Sequence, residues 1–532
     1  MAHWDGAENP PAGRRNEEDG MGKLRLLLSV GAMLSLAAGG ANAARIMGQP
    51  GNDASPTGTG IVTDATGFQE SGSPYSGGQG QGETESQVPF AAAPAPGTIN
   101  FRINSFVNEF PMYTSFSGMN SNGTPASNAG NKIQGYGIYG WIRFEMGLDG
   151  MTKGGIRYGS YFQIRENNTT ALTANPTYTS GAGLTSNFAQ SASADSSDNT
   201  LYVRHANVYI GTDQIGLVRV GTGLGAMTLF ETGLFDDFDI GGWISFASTN
   251  IPSNMTPVWP WADEGGEYMA ARIGYVSPVI FGFDGGIFFA PNNSGPFDGS
   301  GCTSAFGGVG CATQSSSNNA ADLGRYRNEL GIALRYRNAF GPVGLAVSGI
   351  YTTSGVVNPG PNVTGSGGAA GAGTPATAAS AGAARNFNGL SIGDIGAEVS
   401  FNHQLAVGAN IMWGAFNGNW GLQPKATATI PATTAIAWEA GVKYTIPQAP
   451  ITLGTYYFNY KNAGTAGLPT QRVYQGLDVG AVYGLGPGAV LVAEYAWGQN
   501  YQGGVNFLGG PNPALDNKVQ AQVFTVGMSV RF

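Results

Sequence analysis

Two groups of charged residues in this sequence have the types and spacing to create an electric field across a water-filled space. One is an acidic run within a long segment, and the other is a set of arginines at alternating positions before and after that segment. Opposite fixed charges that face each other across water create a transverse field, which orients dipolar solutes and filters ions. The acidic residues are Glu231, Asp236, Asp237 and Asp239, and the arginines are Arg102, Arg143, Arg157, Arg219 and Arg272.

The alternative for these arginines is a purely structural role. Each one would then form an ion pair with a carboxylate on a neighbouring strand, such as Glu145 or Glu329. If both groups line a narrow bore, we expect weak ion selectivity, because charges within a Debye length of about 8–10 Å dominate the field at an ion. The selectivity leans towards cations if the acids of the long segment crowd the path.

Residues for catalysis are scarce. Histidine occurs only as His3, His205 and His403, and none of them is spaced with a serine and an orienting group as a Ser/His hydrolase requires. So few His and Cys residues also form no metal-binding cluster. We therefore expect no enzymatic activity, no metal and no cofactor.

The two cysteines, Cys302 and Cys311, lie in one predicted surface loop. The space beyond the inner membrane is oxidising, so we expect a disulfide between them, with two free thiols as the alternative. Such a bridge stiffens a loop and supplies no chemistry.

The elements that must position these charges are β-strands. In Thr98–Asn104, apolar and polar residues alternate strictly, so that Ile99 and Phe101 share one face and Arg102 lies on the other. The same period recurs to the end of the chain in stretches of about 10–14 residues, longer than the ~5–6 of globular sheets and suited to a tilted membrane crossing. A soluble β-sandwich has the same period, but strand length and the connections weigh against it.

The connections alternate between short and long, as in bacterial outer-membrane barrels with short periplasmic turns and long extracellular loops. About sixteen crossings fit between Thr98 and Phe532, an even number that places both chain ends in the periplasm, and a barrel of that size leaves an aqueous bore. The predicted short connections are Leu148–Gly155, Gly211–Gly216, Ser277–Pro278, Asn338–Gly344, Asn402–Gln404, Pro447–Pro450 and Gly484–Gly488. The long ones are Glu166–Asn199, Gly223–Gly265, Pro291–Leu323, Gly355–Asn388 and Asn417–Thr433.

Composition agrees with a membrane barrel. Charged residues are 11% of the 532 residues, glycine contributes 86, and no apolar run approaches the ~18–20 residues of a spanning helix. The formal net charge of −9 and the absence of a basic stripe exclude nucleic acid as a partner.

The chain divides by composition into four parts. Residues 1–20 are a polar extension, interpreted either as a mis-assigned translation start or as a long n-region. Residues 21–43 resemble a secretory signal peptide, with Lys23 and Arg25 before an apolar stretch and a small-residue cleavage site at Ala43. The mature chain is therefore expected to begin near Ala44. Residues 44–97 are rich in Gly, Ser and Pro and predict a flexible periplasmic segment, and 98–532 form the barrel.

Three stretches resemble the general, trimeric Gram-negative porins over about Thr98–Phe532. They are the alternating terminal strand Val519–Phe532, the strand pair formed by Tyr202–Gly211 and Ile215–Gly221, and the acidic segment that begins with Thr222–Trp243. The resemblance implies an all-β transmembrane antiparallel barrel of about 16 strands whose third loop folds into the pore. It also implies that the two charged groups form the pore constriction, that the protein is a homotrimer, and that Phe532 is an assembly signal.

The function that follows is passive diffusion of ions and small hydrophilic solutes through an outer-membrane porin. Expected partners are outer-membrane lipid, these solutes and the barrel-assembly machinery. A substrate-specific channel for sugars, phosphate or organic anions is the main alternative, and it would show aromatic runs along the bore. A structural or adhesive barrel is the third, and it would hold the Thr222–Gly265 segment outside the bore.

Overall fold

The alternation of apolar and polar residues produces strands wherever the sequence predicts them. The computed structural model describes residues 94–116, 135–167, 202–234, 271–292, 326–356, 388–402, 404–416, 423, 434–462, 470–486, 489–505 and 517–531. The chain divides into two compact units, Met1–Ile46 and Met47–Phe532, and every described residue belongs to the second. Among the described residues, no helix is both long and apolar enough to span a membrane.

The described residues form sixteen strands and one short helix. The strands are β1 (Ile99–Phe116), β2 (Tyr136–Met151), β3 (Arg157–Asn167), β4 (Tyr202–Thr212), β5 (Gly216–Thr222), β6 (Ala271–Val276), β7 (Phe283–Asn292), β8 (Tyr326–Phe340), β9 (Val343–Val356), β10 (Ser391–Phe401), β11 (Leu405–Ala415), β12 (Ala435–Thr445), β13 (Ile451–Asn462), β14 (Arg472–Gly486), β15 (Ala489–Tyr501) and β16 (Lys518–Arg531). The helix α1 (Ala226–Phe230) lies between β5 and β6.

The strands close into a barrel. Each strand pairs antiparallel with the next one in sequence, and β1 pairs with β16 in a register that sets Met112 opposite Thr525. Closure leaves no unpaired sheet edge. An unpaired edge would expose backbone N–H and C=O groups to lipid, where they find no hydrogen-bond partner. The predicted all-β antiparallel barrel of about sixteen strands is confirmed.

The two faces of the wall differ as the sequence predicts. Outward positions are apolar and exposed, for example Ile99, Tyr136 and Leu334. Inward positions hold the polar residues, such as Glu329 and Arg335, which alternate with the outward residues of the same strand. The outer face therefore suits lipid, and the inner face suits an aqueous bore.

Short turns lie on one rim and long connections on the other. The short turns link β2 to β3, β4 to β5, β6 to β7, β8 to β9, β10 to β11, β12 to β13 and β14 to β15. The predicted two-residue turn at Ser277–Pro278 was too short. The connection extends to Gly282, because Ile280 forms an isolated bridge with Phe283 before β7 begins.

Candidate functional site

We call the segment between β5 and β6 the third loop, and its described part, residues 223–234, turns into the bore. After Thr222 the chain leaves the wall, and α1 packs against the inner faces of β7, β8 and β9. A five-residue helix is not stable by itself, and it has no side-chain N-cap. Burial of the apolar residues in and beside α1 therefore holds it in place, and these are Leu224, Ala226, Met227, Leu229, Phe230 and Leu234.

Arg335 on β8 anchors the third loop. Its Nε and Nη2 donate to the two carboxylate oxygens of Asp284 at 3.1 and 2.7 Å, and its Nη1 donates to the Leu229 carbonyl oxygen at 3.1 Å. The guanidinium also lies 5.0 Å from the centre of the Phe230 ring. The Nη2 of Arg337 donates a further hydrogen bond to Asp284 at 2.8 Å. A bidentate guanidinium pair fixes direction as well as charge, so Arg335 joins wall and loop rigidly.

Arg219 and Arg272 lie at the start of the third loop. The Arg219 Nη2 donates to the Leu224 carbonyl oxygen, and its guanidinium stands 5.6 Å from the centre of the Phe288 ring. On the neighbouring strand, the Arg272 Nη2 lies 3.6 Å from an oxygen of Glu329. Both side chains are buried. Arg272 thus forms the ion pair with Glu329 that the structural alternative predicts, whereas Arg219 holds the backbone of the third loop.

The wall makes room for the loop with glycines. A Cβ on Gly331 would lie 2.8 Å from the Ala226 methyl group, and one on Gly286 would lie 2.9 Å from the Phe230 ring. Further on, the hydroxyl groups of Thr232 and Ser348 are 2.9 Å apart. The described part of the third loop thus crosses the inner wall towards β9, and Gly286 and Gly331 leave the room that Phe230 and Ala226 fill.

The loop ends its described course at β10 and β11. The Asn410 Nδ2 donates to the Thr232 carbonyl oxygen at 3.2 Å, and Gly233 follows with a φ of 79° that favours glycine. Glu231 is buried at the end of α1. Asp236, Asp237 and Asp239 lie outside the described residues.

Arg157 lies lower in the barrel than the sequence suggests. The resemblance implies that it belongs to the pore constriction, but it is the first residue of β3 and pairs with Met151. The reason is that β2 continues through Gly147–Met151, where β1 pairs with it. The Arg157 guanidinium binds Asp149 at 2.7 Å and Asp213 at 3.1 Å. It is a buried ion pair near the rim of short turns.

The remaining predicted residues are only partly described. Arg102 pairs in register with Gly147, and Arg143 pairs with Phe106 and Arg165. His205 lies buried on β4 with its ring 6.1 Å from that of Tyr161. Cys302, Cys311, His403 and Phe532 lie outside the described residues. Within the described ranges, no three His, Cys, Asp or Glu side chains form a group that would hold a metal ion.

Inward carboxylates on the strands from β10 to β15 were not among the predicted site residues. These side chains face inward and are buried on β10, β12, β14 and β15. Only the inward register identifies them, since in the sequence each strand carries just one or two isolated acids. They are Asp394, Glu398, Glu439, Asp478 and Glu494.

Aromatic rings also lie on the inner wall, where a substrate-specific channel would need them. Tyr460 stacks on Phe416 at 5.5 Å between ring centres and on Tyr474 at 5.6 Å. The Arg472 guanidinium lies 6.0 Å from the centre of the Tyr474 ring. Because the rings are buried and stack on one another, this group braces β13 and β14 and does not favour a binding track for solutes.

A family model described as Gram-negative porin matches residues 30–503 of this sequence. The chain belongs to the Gram-negative porins. It is an outer-membrane porin that forms a water-filled channel for passive diffusion of ions and small hydrophilic solutes. The comparison with curated protein sequences gives no match.

Two solved porin structures are similar to this porin. An anion-selective porin from Comamonas acidovorans shares 13% identity at a TM-score of 0.45, covering 82% of this chain and 100% of its own. A triple mutant of the Rhodopseudomonas blastica porin shares 13% identity at a TM-score of 0.40, covering 81% of this chain and 100% of its own.

Proposed function

We propose that the third loop narrows this bore into a weakly cation-preferring constriction. The observation that supports this most directly is the course of Leu224–Leu234 along the inner faces of β7 to β11. The acidic run of Glu231, Asp236, Asp237 and Asp239 is contiguous with that segment. The loop therefore brings carboxylates towards the path of the ions.

Only two of the five predicted arginines remain candidates for the basic side of the constriction. Arg157, Arg219 and Arg272 are buried and bound to Asp149, to the Leu224 carbonyl group and to Glu329. We therefore assign the opposing charge to Arg102 and Arg143, which the alternation of β1 and β2 places on the polar face of each strand. Glu231 is buried too, so Arg102 and Arg143 oppose the three loop carboxylates Asp236, Asp237 and Asp239. This balance favours cations, because nearby charges dominate the field in a narrow bore.

The test is the reversal potential of single channels in a planar bilayer under a salt gradient. The D236N/D237N variant should shift it towards anions, and R102Q/R143Q should shift it towards cations. Both shifts should shrink in concentrated salt as screening increases. If neither variant moves the reversal potential at low salt, these residues do not form the constriction.

We further propose how this porin matures and assembles. The signal-like segment 21–43 is removed so that the mature chain begins near Ala44, followed by the flexible segment 44–97. Ile99 and Arg531 lie at the ends of β1 and β16 on the rim of short turns, which supports periplasmic termini. Phe532 serves the barrel-assembly machinery, Cys302 and Cys311 form a loop disulfide, and three copies associate within outer-membrane lipid.

A further inference from the structure

The outer wall of β13 to β16 carries a row of amides at its extracellular end. Register places one amide on each of four adjacent strands, directly opposite its neighbour. Each side chain is half-buried and faces away from the bore. We call this row the amide ladder, and it consists of Asn459, Gln475, Gln499 and Gln520.

Hydrogen bonds fix the ladder. The Gln475 Oε1 accepts from the Tyr457 hydroxyl group at 3.2 Å and from the Asn459 Nδ2 at 3.3 Å. The Gln499 Oε1 accepts from the Gln520 Nε2 at 2.9 Å. Because the acceptor oxygens of Gln475 and Gln499 serve these bonds, their NH₂ groups are the polar atoms that the two residues present to a ligand.

Two lysines lie in the row immediately above the ladder. Lys461 on β13 and Lys518 on β16 are exposed, and the register Lys461–Val473–Tyr501–Lys518 places them at the two ends of one cross-strand row. Three strand spacings separate them, or about 14 Å. On the described outward face of β13 to β16 there is no carboxylate. The patch therefore offers donors and positive charge together.

The height of the patch matches the lipid headgroups. Below the ladder the outward residues are mainly apolar, as Leu477, Val479 and Phe524 illustrate. From Gln475 down to Leu485 there are ten residues along β14. At ~3.3 Å per residue and a tilt of about 40°, this is roughly 25 Å, the height of the apolar band of such barrels. The ladder thus lies at the outer edge of that band.

We propose that the amide ladder with Lys461 and Lys518 binds the headgroup of a phosphorylated glycolipid in the outer leaflet. The lysines hold phosphates at two points about 14 Å apart, and the amide NH₂ groups donate to phosphate and sugar oxygens between them. A second copy of the chain is a poorer occupant, because it would have to cover two lysines that have no carboxylate beside them on the described part of this face. The site lies on the outside of the barrel and is independent of ion selectivity.

The test uses the full-length porin in a neutral maltoside detergent. An acylated glucosamine disaccharide with a phosphate at each end is titrated, and native mass spectrometry gives the bound fraction. The same lipid without its phosphates is titrated in parallel. Each lysine near an anionic headgroup contributes enough binding that K461A/K518A should weaken the affinity for the bisphosphate by roughly thirtyfold.

The matched control is K153A, which removes an exposed lysine from the turn between β2 and β3 on the other rim. It should bind the bisphosphate as the parent does, and the dephosphorylated lipid should bind the parent as weakly as the bisphosphate binds K461A/K518A. Slower gel migration after heating confirms that each variant is folded. Equal affinity of the parent and K461A/K518A, or of the two lipids, would overturn the proposal. So would a Q475L/Q499L variant that changes its oligomeric mass while keeping the lipid affinity, since the face would then be an interface between copies.

Discussion

Arg335 and Leu229 are joined by a hydrogen bond of 3.1 Å from the Arg335 Nη1 to the Leu229 carbonyl oxygen, 106 residues apart in the chain. The same guanidinium holds both oxygens of Asp284. The barrel wall therefore determines where the third loop runs, and the strength of this contact determines how firmly the loop narrows the bore.

Replacing Arg335 with lysine should loosen the third loop. A lysine ammonium has no planar fork and cannot hold the Asp284 carboxylate and the Leu229 carbonyl group together. Loss of these bonds costs about 2 kcal/mol of anchoring, so the detached state should become roughly thirtyfold more populated. Single-channel recording should show frequent steps to a larger conductance. R337K is the control, because the 2.8 Å bond of Arg337 joins it to Asp284 on the wall. Equal current noise in both variants would contradict this role of Arg335.

A side chain at Gly331 should displace α1 from the wall. The Ala226 methyl group occupies the space that a Cβ on Gly331 would need, and a close-packed interface accommodates added atoms only by moving. G331V should therefore change the single-channel conductance while the barrel still assembles. Gly349 on β9 is the control, because it is exposed and a Cβ added there would meet nothing within 4 Å. Equal conductance of G331V and the parent would mean that the helix does not rest on this glycine.

Much of the fold was predictable because period-two alternation is a local property. Leu334 and Arg335 are assigned to opposite faces by their neighbours alone. The predicted connection Leu148–Gly155 began too early. The glycines and Asp149 in Gly147–Met151 have the composition of a turn, but pairing with β1 keeps this segment in a strand. Arg157 therefore lies closer to the rim of short turns than the sequence suggests.

The contacts of the site were not predictable, since they depend on which strands meet. Asp284 and Arg335 are 51 residues apart, and only the register of β7 with β8 brings them together. The amide ladder is similar: Gln475 and Gln499 are unremarkable strand residues until pairing sets them side by side.

Removing the charge of Arg157 should lower stability and leave selectivity unchanged. Its guanidinium is buried against Asp149, so R157Q leaves a buried carboxylate without its main partner, which costs about 3 kcal/mol. Urea-induced unfolding of the reconstituted barrel measures this loss. D213N removes only the exposed partner, and its effect should stay below about 1 kcal/mol. If R157Q unfolds at the same urea concentration as the parent, or shifts the reversal potential, Arg157 belongs to the pore constriction and its role is not structural.

Glu494 tests whether the inward carboxylates of β10 to β15 add to the cation preference. It faces inward on β15, between Gly480 and Thr525 of the adjacent strands. E494Q keeps the shape of the side chain and removes one negative charge, so the reversal potential at low salt should move towards anions and recover in concentrated salt. E109Q makes the same change on β1, at a position in register with the exposed outward residues Val107 and Tyr113, and should have no effect because its charge lies outside the bore. If the two variants shift the reversal potential equally, the inner wall does not set selectivity, and the preference comes from the third loop alone.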